Sequence, residues 1–115
     1  MQLDIQTSGF SLTEGIRSYA TRRMQFALDR NDGQVMHVKL SLADINGPRG
    51  GVDKKCQISL ALAGHNNIVI EDTEADLYIA IDRASERCAR TLTRRLEKFR
   101  EHDHQSAPIP TVFED

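Results

Sequence analysis

The sequence contains no tryptophan, and it has only two cysteines and three prolines among 115 residues. Two cysteines are too few for the disulfide framework of a small secreted protein. Cys56 and Cys88 both fall on predicted apolar faces, so we interpret them as buried thiols in a reducing cytoplasm. We expect neither of them to be a catalytic nucleophile or a metal ligand.

Long hydrophobic runs are also missing. No apolar stretch approaches 18 residues, and no basic start precedes an apolar segment. We therefore expect neither a membrane span nor a signal peptide. The formal net charge is −2, which argues against an indiscriminate polycation. Any binding to a polyanion must depend on local clusters of charge.

The chain lacks an evident catalytic constellation. Its four histidines are scattered or two residues apart, which does not match a structural metal site. The glycine-rich segment 47–51 lacks the lysine and Ser/Thr of a phosphate-binding loop. Four acidic residues crowd the start of the second long helix, where the helix dipole favours negative charge, and we interpret them as N-terminal capping. They are Glu71, Asp72, Glu74 and Asp76.

Periodic placement of apolar residues predicts four strands and two helices. The strands are predicted at residues 1–6, 35–42, 55–62 and 68–71. Ser11 precedes Glu14 by three residues, a capping-box spacing that predicts the start of the first helix. Thr73 and Asp76 repeat the spacing before the second helix, which is predicted over residues 76–100. The predicted order is therefore β-α-β-β-β-α.

The predicted strands are polar on one face, which indicates a sheet covered on one side only. In the second strand the inward side chains are expected to be Met36, Val38, Leu40 and Leu42. Both helices should pack on the same face, so the predicted fold class is α+β, a two-layer sandwich. One domain is expected over residues 1–102, and residues 103–115 are expected to form a flexible C-terminal tail.

The second helix carries two separate stripes. Its apolar stripe consists of Tyr78, Ile81, Ala84, Cys88, Leu92, Leu96 and Phe99. Its basic stripe consists of Arg83, Arg87, Arg90, Arg94 and Lys98. At about 100° per residue, the basic stripe falls within an arc of roughly 80°. Segregated charge of this kind favours binding to nucleic acid, because each arginine can pair with a phosphate and release counterions.

Two readings of the basic stripe stay open at this point. A charged helix face is often only a solvated surface. The functional alternative gains support from Arg17, Arg22 and Arg23 on the first helix, whose outward cations would merge with the stripe. Aromatic residues not assigned to the core are few, namely Phe10, Phe26 and Phe113. This scarcity favours recognition of phosphates and shape over stacking on splayed bases.

Two segments resemble the ribosome hibernation promoting factor family, which includes protein Y. They are MQLDIQTSGFSLTEGIRSYATRRM at the start and IVIEDTEADLYIAIDRASERCARTLTRRLEK. The most specific part is residues 71–82, where acidic residues precede a Tyr-x-Ala-Ile-Asp helical turn. The resemblance runs over about residues 1–100. It implies a fold similar to double-stranded RNA-binding domains, with no enzymatic activity and no cofactor.

The resemblance also implies a cytoplasmic factor that binds the small ribosomal subunit and its ribosomal RNA. Such a factor occupies the channel of messenger and transfer RNA, inhibits translation and promotes ribosome hibernation in stationary phase or stress. The resemblance implies that Arg83, Arg87, Arg90 and Arg94 bind RNA, and it extends in part to Arg22 and Arg23. The local cluster of cations adds Arg95 and Lys98 to the predicted RNA-binding residues. Phe26 and Asp29 stand where relatives usually have lysines, which indicates a divergent member.

The expected partner is therefore the ribosome, with no membrane and no small-molecule substrate. The long class of the family has an additional dimerisation domain, and this sequence resembles the short class. The alternative function is a divergent paralogue that keeps the fold but acts as a protein-binding regulator.

Overall fold

The computed structural model describes residues 2–45, 53–64 and 66–106, and their side chains except at Asp32 and residues 99–106. The elements are β1 (Gln2–Ser8), α1 (Glu14–Leu28), a 3₁₀ segment (Asp29–Gln34), β2 (Val35–Asp44), β3 (Lys54–Leu62), β4 (Ile68–Glu74) and α2 (Leu77–Ser106). The predicted β-α-β-β-β-α order is confirmed. Three of the sequence features above lie outside the described residues: the glycine-rich segment 47–51, one of the four histidines (His65) and residues 107–115.

The four strands form one sheet in the order β1-β2-β3-β4. Strand β1 runs parallel to β2, and β3 is antiparallel to both of its neighbours. Both helices bury their apolar side chains in one core with the inward side chains of the sheet. The other face is polar, with exposed or half-buried residues such as Lys39, Gln57 and Ser59. The α+β two-layer fold is therefore confirmed.

Both helices begin at a different cap from the predicted one. The Oγ1 atom of Thr13, not Ser11, accepts a hydrogen bond of 3.2 Å from the backbone N of Ile16. Thr13 has extended backbone angles directly before α1, as an N-cap residue requires. Before α2, Asp76 Oδ1 accepts a 2.8 Å bond from the backbone N of Tyr78, while Thr73 lies within β4.

The prediction that Met36 points inward is wrong. Strand pairing between β2 and β3 shifts between Val35 and His37, which is the signature of a β-bulge. The extra residue interrupts the period of two, so Val35 is buried and the Met36 side chain is 63% exposed. Periodicity alone cannot reveal this interruption, because both positions are occupied by apolar residues.

Helix α2 is longer than its predicted extent and continues to Ser106. Tyr78, predicted in the apolar stripe, is 41% exposed and lies at the margin of the core. Within the described residues, no helix is long and apolar enough to cross a membrane. The predicted flexible tail is helical as far as Ser106, and its remaining residues stay a matter of prediction.

Candidate nucleic-acid interface

Helices α1 and α2 lie side by side and run in the same direction. The side-chain contacts join Tyr19 to Tyr78 and Asp82, Arg23 to Asp82 and Glu86, and Asn31 to Thr93. The contacted residues of α2 lie between 59 and 63 positions later in the chain, and they advance together with the residues of α1. A residue near the end of α1 therefore lies level with the turn of α2 that is 59 to 63 positions later.

A polar network fixes this arrangement of the helices. Asp82 accepts a hydrogen bond of 2.5 Å from the Tyr19 hydroxyl, and its Oδ1 lies 3.1 Å from Arg23 Nε. The hydrogen bond to Asp82, followed by burial, raises the pKa of Tyr19 above its ordinary value. The Tyr19 and Tyr78 rings meet edge to face with centroids 4.9 Å apart. Arg23, predicted to face RNA, therefore turns towards α2, whereas Arg22 is exposed.

Two arginines of the basic stripe contact the edge strand β4. Arg87 Nη1 donates a hydrogen bond of 2.6 Å to the carbonyl oxygen of Glu71 and lies 3.7 Å from Asp72 Oδ1. Arg83 Nε lies 3.6 Å from Glu74 Oε2. These cations join the helix to the strand and are partly neutralised by their own chain.

Arg95 contacts the chain at the opposite end of β4, before the strand begins. Its Nη1 donates a 3.2 Å hydrogen bond to the carbonyl oxygen of Asn66, just before β4 begins. The sequence assigned Arg95 to the RNA-binding set, but its half-buried side chain lies beside the stripe and contacts this loop.

The acidic partners of Arg83 and Arg87 were missed by the sequence interpretation. Of the four acidic residues predicted to cap α2, Glu71, Asp72 and Glu74 belong to β4. Asp72 and Glu74 follow Ile68 and Ile70 at the two-residue spacing of side chains on one face of a strand. This spacing indicates that the strand continues to Glu74, and the sequence prediction overlooked it. A hydrogen bond with Asp72, and then burial, raises the pKa of Glu74 above its ordinary value.

The remaining cations of the stripe form what we call the basic row, namely Arg90, Arg94 and Lys98. All three side chains are exposed, and none has an ion-pair partner among the described side chains. Their spacing of four residues aligns them on one face over about 12 Å of helix axis. Two exposed carboxylates lie on the same stretch of helix, Glu86, which is 3.8 Å from Arg23, and Glu97.

Within the described residues, we find no second candidate site for metal binding or for thiol chemistry. No group of three or more His, Cys, Asp or Glu residues there could hold a metal ion. Cys56 and Cys88 are fully buried, as predicted, and burial raises the pKa of each thiol to about 12. Phe10 packs against the core, whereas Phe26 on α1 is 78% exposed.

The chain is similar in fold to two solved structures. The N-terminal domain of Thermus thermophilus protein Y matches with a TM-score of 0.68 and 24% identity, covering 82% of this chain and 98% of that one. A ribosomal subunit interface protein from Coxiella burnetii matches with a TM-score of 0.69 and 12% identity, covering 84% and 99%. No curated protein sequence matches the chain.

A family model matches residues 3–100 and carries the description sigma 54 modulation protein / S30EA ribosomal protein. The match covers nearly the whole of the described fold, from β1 into the C-terminal half of α2. It confirms the resemblance inferred from the two sequence segments. The chain therefore belongs to the family described as sigma 54 modulation protein / S30EA ribosomal protein.

Proposed function

We propose that this protein binds the small ribosomal subunit and inhibits translation as a ribosome hibernation factor. The family description names a ribosomal protein, and one similar structure is called a ribosomal subunit interface protein. In this proposal the domain occupies the space of messenger and transfer RNA in the small subunit. Exclusion of those ligands then requires no chemical step.

The observation that carries the proposal is the basic row on α2. A guanidinium already paired with a carboxylate must exchange one ionic partner for another when it meets a phosphate. Arg90, Arg94 and Lys98 have no such partner among the described side chains, so their full charge is available to the RNA backbone. We therefore assign phosphate contacts mainly to this row and to the exposed Arg22.

Arg23, Arg83, Arg87 and Arg95 take a different part in this proposal. Each of them contacts an acidic side chain or a backbone carbonyl of the same chain. Their main contribution is to hold α2 against α1 and β4, so that the basic row is presented on a rigid helix. Reversing their charge would disturb this packing and confuse a test of RNA binding.

The test is co-sedimentation with purified small ribosomal subunits across a salt series. Each phosphate-neutralising cation should contribute roughly 0.7–0.9 to the slope of log affinity against log salt. The variant R90E/R94E/K98E should bind much more weakly and lower that slope by about 2–3. In an in vitro translation assay it should lose inhibition in the same proportion.

The matched control compares a single charge reversal on the polar face of the sheet with a single charge reversal in the basic row. Lys39 is exposed on the polar face of the sheet, away from both helices, so K39E should leave binding unchanged while R94E weakens it. Unfolding curves would verify that both variants fold. Equal binding by the triple variant and the wild type would contradict the proposal, and salt-insensitive capture of a soluble protein would favour the regulator alternative.

A further inference from the structure

Phe26 is the most exposed large hydrophobic side chain among the described residues, at 78%. It lies on α1, where the buried positions are Ile16, Ala20, Met24 and Leu28. Because Phe26 follows Met24 by two residues, the helical repeat turns it about 160° away from that buried side chain. The ring therefore contributes little to the core and faces solvent on the helical side of the molecule.

The register between the helices places this ring near the start of the basic row. With an offset of 59 to 63 residues, Phe26 lies level with residues 85–89 of α2, directly before Arg90. On its own helix, exposed Arg22 is one turn earlier, at the four-residue spacing that puts two side chains on the same face. Asp29 is the exposed carboxylate nearest in sequence, and Glu86, which lies 3.8 Å from Arg23, is on the adjoining turn of α2. Measured along the helix axes, the exposed ring lies within about one helical turn of Arg22 and Arg90, which have no carboxylate partner among the described side chains.

We propose that Phe26 stacks on a nucleobase of the bound RNA while Arg22 and Arg90 contact the flanking phosphates. This inference deepens the proposed function and rests on it. The positive surroundings favour a nucleic-acid partner, because phosphates would satisfy both guanidiniums on either side of the ring. A stacked base also needs no hydrogen-bond readout, since every base offers an aromatic face.

Stacking and phosphate contacts have different signatures in a salt series. Loss of a cation changes the slope of log affinity against log salt, because fewer counterions are released. Loss of an uncharged ring should lower affinity by the same factor at every salt concentration and leave the slope unchanged. Phe26 and the basic row can therefore be separated in one set of measurements.

The experiment measures binding of the full chain to small ribosomal subunits for the wild type, F26A, F26L and F26W. Removal of one stacked base typically weakens binding by roughly 5- to 150-fold, so F26A should fall in that range at an unchanged salt slope. F26W should keep or increase affinity, and F26L should resemble F26A because leucine lacks an aromatic face. V69A, at an exposed apolar position on the opposite face of the sheet, is the matched control and should bind like the wild type.

Two results would overturn this inference without touching the proposed function. One is wild-type binding by F26A while R90E/R94E/K98E is defective. The other is wild-type binding by F26L together with a loss in F26W, which would indicate an apolar protein pocket. Failure of the wild type itself to bind ribosomal subunits would instead overturn the proposed function.

Discussion

Cys56 and Cys88 show how burial decides the chemistry of a single side chain. Both thiols are inaccessible to solvent, and burial is the largest cause of their raised pKa. For Cys56, the nearby charges of Asp72 and Cys88 raise the pKa further. A thiol that keeps its proton is a poor nucleophile and a poor metal ligand, so packing accounts for both residues.

These pKa shifts predict a loss of stability in alkali. Between pH 9 and about 12 the unfolded chain releases thiol protons that the folded chain retains. The free energy of unfolding should therefore fall as pH rises, by up to about 1.4 kcal/mol per pH unit for each thiol. Above pH 10 the raised pKa of Tyr19 adds to the decline in the same direction.

Urea unfolding followed by circular dichroism from pH 7 to 11 would measure this decline. C88A should lower the slope between pH 9 and 11 by about one thiol's share, roughly 1.4 kcal/mol per pH unit. The loss of its sulfur should reduce stability at pH 7 separately. An unchanged slope in C88A would contradict the raised pKa of the Cys88 thiol.

Helix α2 performs two tasks with side chains of the same kind. Arg83, Arg87 and Arg95 reach towards β4 and the loop before it, whereas Arg90 and Arg94 face solvent. Arg87 donates a hydrogen bond to the carbonyl oxygen of Glu71 on β4, which is an edge strand of the sheet. Polar groups left unpaired along such an edge invite pairing with other chains.

Removal of this contact should weaken the attachment of β4. In R87A the carbonyl of Glu71 loses its donor and the carboxylate of Asp72 loses a nearby cation. We expect a loss of about 1–2 kcal/mol in the free energy of unfolding and faster hydrogen exchange in β4. R94A, at an exposed position on the same helix, should change stability by less than about 0.5 kcal/mol. Equal stability of the two variants would show that Arg87 is not a structural contact.

The whole molecule has one core shared by the sheet and both helices. Leu96 is the last buried residue described on α2, and the helix continues for ten residues beyond it to Ser106. The sequence after Ser106 has two prolines and no periodic apolar face. Folding should therefore depend on residues up to about Leu96 and not on residues 107–115.

A chain truncated after Ser106 should unfold at the same temperature as the full chain. Circular dichroism at 222 nm would follow the transition of both proteins. In a domain of about this size, a decrease of 4 °C or more corresponds to a loss of about 1 kcal/mol. Such a decrease would show that residues 107–115 contribute to folded stability.

The amino-acid sequence by itself determined the order of elements, the single covered face of the sheet and the burial of both cysteines. These features follow from the spacing of apolar side chains, which is a local property of each segment. The family resemblance was likewise carried by contiguous residues, such as the turn that contains Tyr78 and Asp82. It therefore needed no knowledge of distant contacts.

Only the tertiary structure decided which cations contact other parts of the chain. Arg87 and Arg90 are equivalent in the sequence pattern, but β4 supplies acceptors within reach of Arg87, whereas Arg90 is exposed and has no ion-pair partner among the described side chains. The outward position of Met36 and the level of Phe26 along α2 likewise depend on strand pairing and helix register. These are relations between distant segments, and the period of one segment cannot encode them.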